Sequence, residues 1–175
     1  MKKALSIAIS AAACLLLTSC GNSFEVFSNR YPVSYGCDLS LSPYRSAEFF
    51  GTFISVRQSG PNIIVTEMNG TVTKEQMTES EAKGFRMGLC GLIIGTPALD
   101  NESCQIFAYD LGCPVCDRSG RRLDINLDGT ASCSSCGTRF DLNNNGFVIA
   151  SEREETRPLY RYPVSRTGSY LTVSN

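Results

Sequence analysis

Four cysteines in two closely spaced pairs are the residues of this sequence whose chemistry is easiest to infer. Cys113 and Cys116 form one Cys-x-x-Cys pair, Cys133 and Cys136 form another, and sixteen residues separate the pairs. Two such pairs at this spacing are typical of a tetrahedral thiolate site, because each tight turn supplies two sulfurs. The sequence therefore predicts a four-cysteine metal site.

The residues between the two pairs predict how the pairs meet. Leu123–Thr130 has the alternation of a strand and contains an Asp128-Gly129 turn. A hairpin at this point would fold the second pair back towards the first, so that all four thiols lie at one end of it.

Short β-rich runs separated by turn residues fill much of the rest of the chain. Residues 53–56 and 63–66 flank the turn cluster 59–62 and predict a hairpin, and the apolar run 89–95 predicts a strand buried on both faces. Further strands are expected at 104–110, 140–142, 147–149, 159–164 and 170–173. This spacing predicts an all-β fold, an antiparallel sandwich or barrel.

One polar segment is the main helical candidate. Residues 73–83 predict a short solvated helix, since Thr73 and Gln76 have the spacing of a capping box and Gly84 could end the helix.

A different feature, the string Arg-Tyr-Pro-Val-Ser, occurs at 30–34 and again at 161–165. Its proline favours edge strands, and no longer repeat surrounds either copy.

The first residues predict export and a lipid anchor. Lys2 and Lys3 precede an apolar stretch that is short for a membrane span, so residues 1–19 are expected to be a signal peptide. The segment 17–20, Leu-Thr-Ser-Cys, resembles the bacterial lipobox, which implies cleavage before Cys20 and acylation of its sulfur. Residues 20–29 would form the lipidated cysteine and tether, and 30–175 the domain, with a metal-loop subdomain at about 108–142.

Composition excludes several classes of function. The sequence has no histidine, so Ser-His-Asp and Cys-His catalysis and imidazole metal sites are ruled out. The formal net charge is −1 and there is no Lys/Arg block, so nucleic acid is not expected as a partner. The expected partners are a membrane, through Cys20, and an envelope protein of unknown identity.

The order of features from 108 to 173 resembles a Rieske-type ferredoxin domain. A strand leads into a first ligand loop, a hairpin follows, then a second loop of the form Cys-x-x-ligand-Gly-x-x-Phe, a glycine turn and a Pro-Leu-x-x-Tyr segment. The matching positions are Cys113, Cys133, Cys136, Gly137, Phe140, Gly146, Pro158, Leu159 and Tyr162. The resemblance implies a Rieske-like antiparallel β-sandwich, as in exported bacterial lipoproteins of this type.

The ligand loops depart from the Rieske pattern. A Rieske site uses two cysteines and two histidines, whereas Cys136 stands at the second-loop histidine position and Val115 at the first. Cys116 lies one residue further, so the first loop resembles a rubredoxin or zinc-ribbon knuckle. The high potential and proton coupling that histidine ligation gives a Rieske centre are therefore not expected here.

Spacing alone leaves the occupant of the four-cysteine site open. Zn²⁺ is the first candidate, a [2Fe-2S] cluster or single iron the alternative, and disulfides or reduced thiols a third option, since exported cysteines oxidise. The start of the chain lacks a twin-arginine signal, so a cluster assembled before export is disfavoured. For the remaining cysteines Cys37, Cys90 and Cys104, burial as small apolar side chains is expected.

Two function classes follow, a structural cell-envelope module and a small electron carrier. A thiol-disulfide oxidoreductase is a weaker alternative, because reactive cysteine pairs begin a helix and the residues after Cys116, 117–120, predict a turn. No catalytic residue is predicted. The arginines near the loops, at 118, 121, 122 and 139, would form a solvated rim, offset the sulfur charge or contact an acidic partner.

Overall fold

A computed structural model describes residues 27–98 and 105–175, and this part of the chain is all-β. The predicted signal peptide 1–19, Cys20, residues 21–26 and Cys104 lie outside the described residues. The strands are β1 (Val33–Asp38), β2 (Thr52–Ser59), β3 (Asn62–Glu67), β4 (Val72–Gln76), β5 (Arg86–Met87), β6 (Leu92–Thr96), β7 (Phe107–Asp110), β8 (Asp124–Ile125), β9 (Thr130–Ser132), β10 (Arg139–Asp141), β11 (Phe147–Ala150), β12 (Arg161–Tyr162), β13 (Val164–Thr167) and β14 (Tyr170–Ser174).

These strands form three sheets, and every pairing between them is antiparallel. The central sheet has six strands in the order β12-β7-β6-β2-β3-β4. A second sheet has the order β13-β14-β1-β5, and a third, which we call the cysteine sheet, has the order β11-β10-β9-β8. All-β architecture with antiparallel sheets is thus confirmed.

Strand β6, in the middle of the central sheet, is buried on both faces, which explains the apolar residues 92–94. The predicted strand over 89–95 begins only at Leu92, because residues 89 and 90 form a turn before it. Leu92 and Ile94 of β6 pack in one hydrophobic cluster, while Ile93 between them packs in another. Alternate residues of a strand point to opposite faces, so the run has to be apolar throughout. One cluster is shared with β1 and β14, and the other with the cysteine sheet and its cysteines.

The two predicted hairpins form as expected. Strands β2 and β3 pair from Ile54↔Glu67 to Ser59↔Asn62. Strands β8 and β9 pair around a turn in which the Gly129 amide donates to the Asn126 carbonyl over 3.1 Å. The Asp128-Gly129 turn therefore folds the second cysteine pair back as the sequence predicts.

The predicted helix over 73–83 is wrong in its first half. Residues 72–76 form β4, which pairs with β3 and alternates between exposed and half-buried residues. The helix, α1, spans Glu79–Gly84, and its capping box is Thr78 with Glu81. Ladder bonds to β3 outweigh the weak helical signal at Thr73, because a solvated helix without an apolar stripe gains little from packing.

In the described ranges no helix is long and apolar enough to cross a bilayer.

The two copies of Arg-Tyr-Pro-Val-Ser do not both lie on edge strands. The second copy begins at the edge strand β12, but Val33 of the first copy starts β1, which pairs with both β14 and β5. Pro32 immediately precedes that strand, so its missing amide interrupts no ladder. The expectation of two edge strands is therefore wrong for the first copy.

Candidate metal centre

The structure brings the four cysteine sulfurs together at one end of the cysteine sheet. The Sγ atoms of Cys113, Cys116, Cys133 and Cys136 all lie within 4.8 Å of one another. Cys113 Sγ is 3.7 Å from Cys136 Sγ, and Cys116 Sγ is 3.7 Å from Cys133 Sγ. Each of these close contacts joins one sulfur from each loop, so the two loops converge on a single small space.

The two cysteine loops have the same backbone construction. In the first, the Asp117 amide donates to the Cys113 carbonyl over 2.8 Å; in the second, the Gly137 amide donates to the Cys133 carbonyl over 2.9 Å. The residue after the second cysteine is left-handed in both loops, with φ of 49° at Asp117 and 70° at Gly137. Both cysteines of each pair are thereby turned to the same side.

The first loop holds its two thiols in surroundings that disfavour their charged forms. Burial is the largest influence on Cys113 and raises the pKa of its thiol, although the nearby amides of Cys116 and Val115 partly oppose that shift. Burial likewise raises the pKa of Cys116 to about 11. Deprotonation of these two thiols therefore calls for a nearby cation, and a bound metal ion would supply that charge.

The second loop favours one thiolate. Burial alone would raise the pKa of Cys136, but hydrogen bonding with Thr138 and with the thiols of Cys133 and Cys116 outweighs it, so the pKa falls to about 7. The Thr138 hydroxyl oxygen lies 3.3 Å from Cys136 Sγ and 2.8 Å from the Ser151 hydroxyl oxygen. Thr138 is fully buried, so this geometry is held by the fold.

Asp117 ties the first cysteine loop to two distant segments. Its Oδ1 accepts hydrogen bonds from the Tyr31 hydroxyl at 2.8 Å and the Tyr160 hydroxyl at 2.9 Å, and its Oδ2 pairs with Arg30. Burial opposes ionisation, but these three donors together lower the pKa of Asp117. An anchored carboxylate can hold the left-handed residue in place despite the strain of a positive φ.

Asp110 fixes the other end of the first loop. It is fully buried, and its carboxylate accepts bonds from the amides of Leu89 (2.6 Å), Cys90 (3.3 Å) and Gly112 (2.6 Å) and from the Tyr162 hydroxyl (2.7 Å). Burial raises the pKa of Asp110 and these donors oppose that shift. The carboxylate thus joins the start of the loop to the segment before β6.

A charged cleft of about 430 Å³ opens beside the sulfurs. Cys116 and Cys136 border it, and four arginines surround it, at 118, 121, 153 and 157, with glutamates at 154 and 155. Arg121 donates to the Ser135 hydroxyl over 2.9 Å, which links the two cysteine loops across the cleft. Two of the four predicted rim arginines therefore do line the site.

Other residues singled out in the sequence lie away from the sulfurs or serve turns. Arg139 pairs with Asp128 at 3.0 Å, and Asp128 Oδ1 accepts the Thr130 amide within its own turn. Cys37 is buried, as expected, in the hydrophobic cluster on the far side of the central sheet. The expectation of burial is wrong for Cys90, which is half-buried in the turn before β6. All six cysteines of the described residues are free thiols.

Sequence reasoning missed Asp110, Asp117 and the arginines of the 151–157 loop. The repeated pentapeptide was a usable signal: Tyr31 from one copy bonds Asp117, and Tyr162 from the other bonds Asp110. The two copies therefore hold opposite ends of the first cysteine loop. Nothing in the sequence pattern connects Arg153 or Arg157 to the loops, because that contact depends on the return path of the chain.

Comparisons with known proteins found no relative of this chain. No family model, no curated protein and no solved structure matches this chain. The Rieske-like resemblance therefore stays a prediction based on the order of motifs.

Proposed function

We propose that this chain is a membrane-anchored cell-envelope lipoprotein whose Rieske-like β domain holds one zinc ion on Cys113, Cys116, Cys133 and Cys136. The ion acts as a structural staple for the two cysteine loops. Four thiolates fill a tetrahedral zinc shell and leave no open position for catalysis. The anchor is the lipidated Cys20.

The sulfur spacing carries the proposal. A tetrahedral ion with Zn–S bonds of about 2.3 Å needs sulfurs about 3.8 Å apart. Two of the sulfur pairs are 3.7 Å apart and none exceeds 4.8 Å. Four thiols already spaced for one ion need little rearrangement to bind it, which supports a single-metal centre.

The same spacing bears on the iron alternatives. A [2Fe-2S] cluster carries two thiolates on each of two irons, so sulfurs on different irons stand further apart than sulfurs on one ion. A span within 4.8 Å therefore favours a single ion over that cluster. It does not separate zinc from a single iron, whose tetrahedral thiolate shell is alike in shape.

A small electron carrier with one iron is the second candidate. Two observations favour it: Cys136 Sγ lies 3.3 Å from the Thr138 hydroxyl oxygen, and Cys116 borders an open cleft. Donors to the sulfurs and solvent exposure tune the potential of iron–sulfur centres. A redox partner would approach the ion through that cleft.

Metal analysis and a visible spectrum of protein purified from its native envelope test the proposal. We expect one zinc ion per chain and a colourless protein. Iron together with brown or red absorption would instead support the electron carrier. Cys133→Ser should lose the ion, while Cys37→Ser, at a buried cysteine in the other hydrophobic cluster, should keep it. If Cys133→Ser still bound one metal ion per chain, the four-cysteine assignment would be overturned.

The anchor is tested separately from the metal. We expect wild-type protein in the membrane fraction, with acyl mass on the Cys20 peptide, and loss of that mass in Cys20→Ser. An unmodified Cys20 in mature wild-type protein would overturn the lipoprotein assignment and leave the metal site standing.

A further inference from the structure

An apolar groove lies where the described chain begins. It has a volume of about 420 Å³, and its lining includes Phe27, Phe147, Pro158 and Leu159. Phe27 is 42% exposed and Phe147 is 50% exposed, and Ile149 on the same outward face of β11 is 51% exposed. Phe27 and Phe147 line the same groove and Ile149 lies two residues after Phe147, and clustered exposed apolar side chains are typical of contact surfaces.

The charged cleft adjoins this groove. Arg157 lines both, which makes the two depressions neighbours on one face of the domain. The four arginines of the cleft have no ion pair to a carboxylate in the described ranges. Glu154 and Glu155 also lie in the lining, so its arginines outnumber its carboxylates by two, and a zinc ion on four thiolates would place two negative charges behind them. The face thus combines exposed aromatic side chains with unpaired cationic ones.

The chain that precedes this face limits its distance from the proposed anchor. Phe27 packs against the guanidinium of Arg161 at 5.3 Å, and the Ser28 amide donates to the Arg161 carbonyl over 2.7 Å, so the chain is fixed to the domain here. Seven peptide links join Phe27 to Cys20. Fully extended, they span no more than about 25 Å.

We infer that this face, formed by Phe27, Phe147, Ile149 and the arginines of the cleft, contacts the surface of a bilayer containing anionic phospholipid. The inference rests on the proposed lipid anchor at Cys20. Aromatic side chains enter the interfacial region, while guanidinium groups pair with lipid phosphates. A short tether holds this face, rather than the far edge of the central sheet, next to the membrane.

The absence of tryptophan from the sequence allows a direct test. Lipidated protein carrying Phe147→Trp or Ile149→Trp is reconstituted in phosphatidylglycerol–phosphatidylcholine vesicles with brominated acyl chains. The control is Val72→Trp, since Val72 is 61% exposed on β4, at the opposite edge of the six-stranded sheet from β12. We expect blue-shifted, quenched emission at 147 and 149, and unshifted, unquenched emission at 72.

Charge is tested with a matched pair of variants on the Phe147→Trp background. Arg153→Gln should reduce the quenching on phosphatidylglycerol vesicles, and Lys74→Gln, an exposed charge on β4, should leave it unchanged. Equal effects of the two variants would show that the arginines of the cleft do not contact lipid phosphate, and would overturn that part of the inference.

The outcomes separate this inference from the anchor. Vesicle flotation and the mass of the Cys20 peptide report the anchor without using the tryptophan. Flotation with unquenched emission at both 147 and 149 would overturn the membrane face and leave the anchor intact. A blue shift without vesicles that grows with protein concentration would identify a second copy as the occupant, and would also overturn it. Absence of both lipid and flotation would remove the anchor and the face together.

Discussion

The Tyr162 hydroxyl donates a 2.7 Å hydrogen bond to Asp110 Oδ2 deep in the protein. Its equivalent in the other copy of the repeat, Tyr31, donates to Asp117 Oδ1 at 2.8 Å in a half-exposed position. The two aspartates flank the first cysteine loop, so the loop is held at each end by a tyrosine from a different part of the chain. Burial is the main difference between the two bonds.

Removing the two hydroxyls should therefore have unequal effects on stability. Tyr162→Phe leaves the buried Asp110 carboxylate with three donors in place of four, at a cost of about 1–3 kcal/mol. Tyr31→Phe should cost less, because Asp117 keeps Tyr160 and Arg30 and is reached by water. Urea unfolding measures both. An equal or larger loss in Tyr31→Phe would show that burial does not set the strength of these bonds.

The left-handed residue after each cysteine pair gives a second prediction. Gly137 has φ of 70°, and a Cβ there would lie 3.0 Å from Glu152 Cδ. Gly137→Ala should lose about 1–2 kcal/mol from backbone strain and weaken metal binding, since the loop presents Cys133 and Cys136. Gly84→Ala is the control, because its Cβ would meet nothing within 4 Å and its φ is not positive.

Metal titration followed by competition with a chelator measures the Gly137 effect. Wild-type affinity in Gly137→Ala would mean that this turn does not position the sulfurs. A parallel loss in Gly84→Ala would mean that general destabilisation, rather than loop geometry, lowers the affinity.

Cys37 predicts how stability depends on alkaline pH. Burial raises the pKa of its thiol to about 12, whereas an exposed cysteine has a pKa of about 8.5. The folded state therefore keeps a proton that the unfolded state releases, so this thiol lowers stability as pH rises from about 8.5 towards 12. The slope approaches about 1.4 kcal/mol per pH unit.

A comparison of wild type with Cys37→Ala isolates that slope. Cys37→Ala should be the less stable protein at pH 7, and the difference should shrink as pH rises to 10.5 in urea unfolding. Val33→Ala is the control, because Val33 is buried in the same hydrophobic cluster and does not titrate. A difference for Cys37→Ala that stays constant with pH would contradict the buried-thiol argument.

The parts of this molecule that the sequence predicts are those fixed by local pattern. Alternation and turn residues predict the hairpin of β8 and β9, and the pair spacing predicts that four sulfurs meet, as they do. The failures have non-local causes. Residues 72–76 are strand because β3 offers a partner, and Arg153 reaches the cleft because the chain returns there after β11. Neither contact leaves a signal in its own segment.

Metal removal should loosen one part of the protein and spare another. The cysteine sheet has strands of only two to four residues, and three of its cysteines are buried within the cluster that supports it. The proposed ion, by joining both loops, would therefore contribute much of the local stability. The pairing of β2 with β3 lies in the central sheet and involves none of these cysteines.

Amide hydrogen exchange with and without a chelator measures this difference. On chelation, the amides of Asp117 and Gly137, which bond the carbonyls within each cysteine loop, should lose protection, while those of β2 and β3 should keep theirs. Cys133→Ser should exchange fast at both loops before chelator is added and should not respond to it. A uniform loss across both sheets would show that the ion supports the whole fold rather than the loops. Unchanged protection at Asp117 and Gly137 would show that the loops are held by their hydrogen bonds without it.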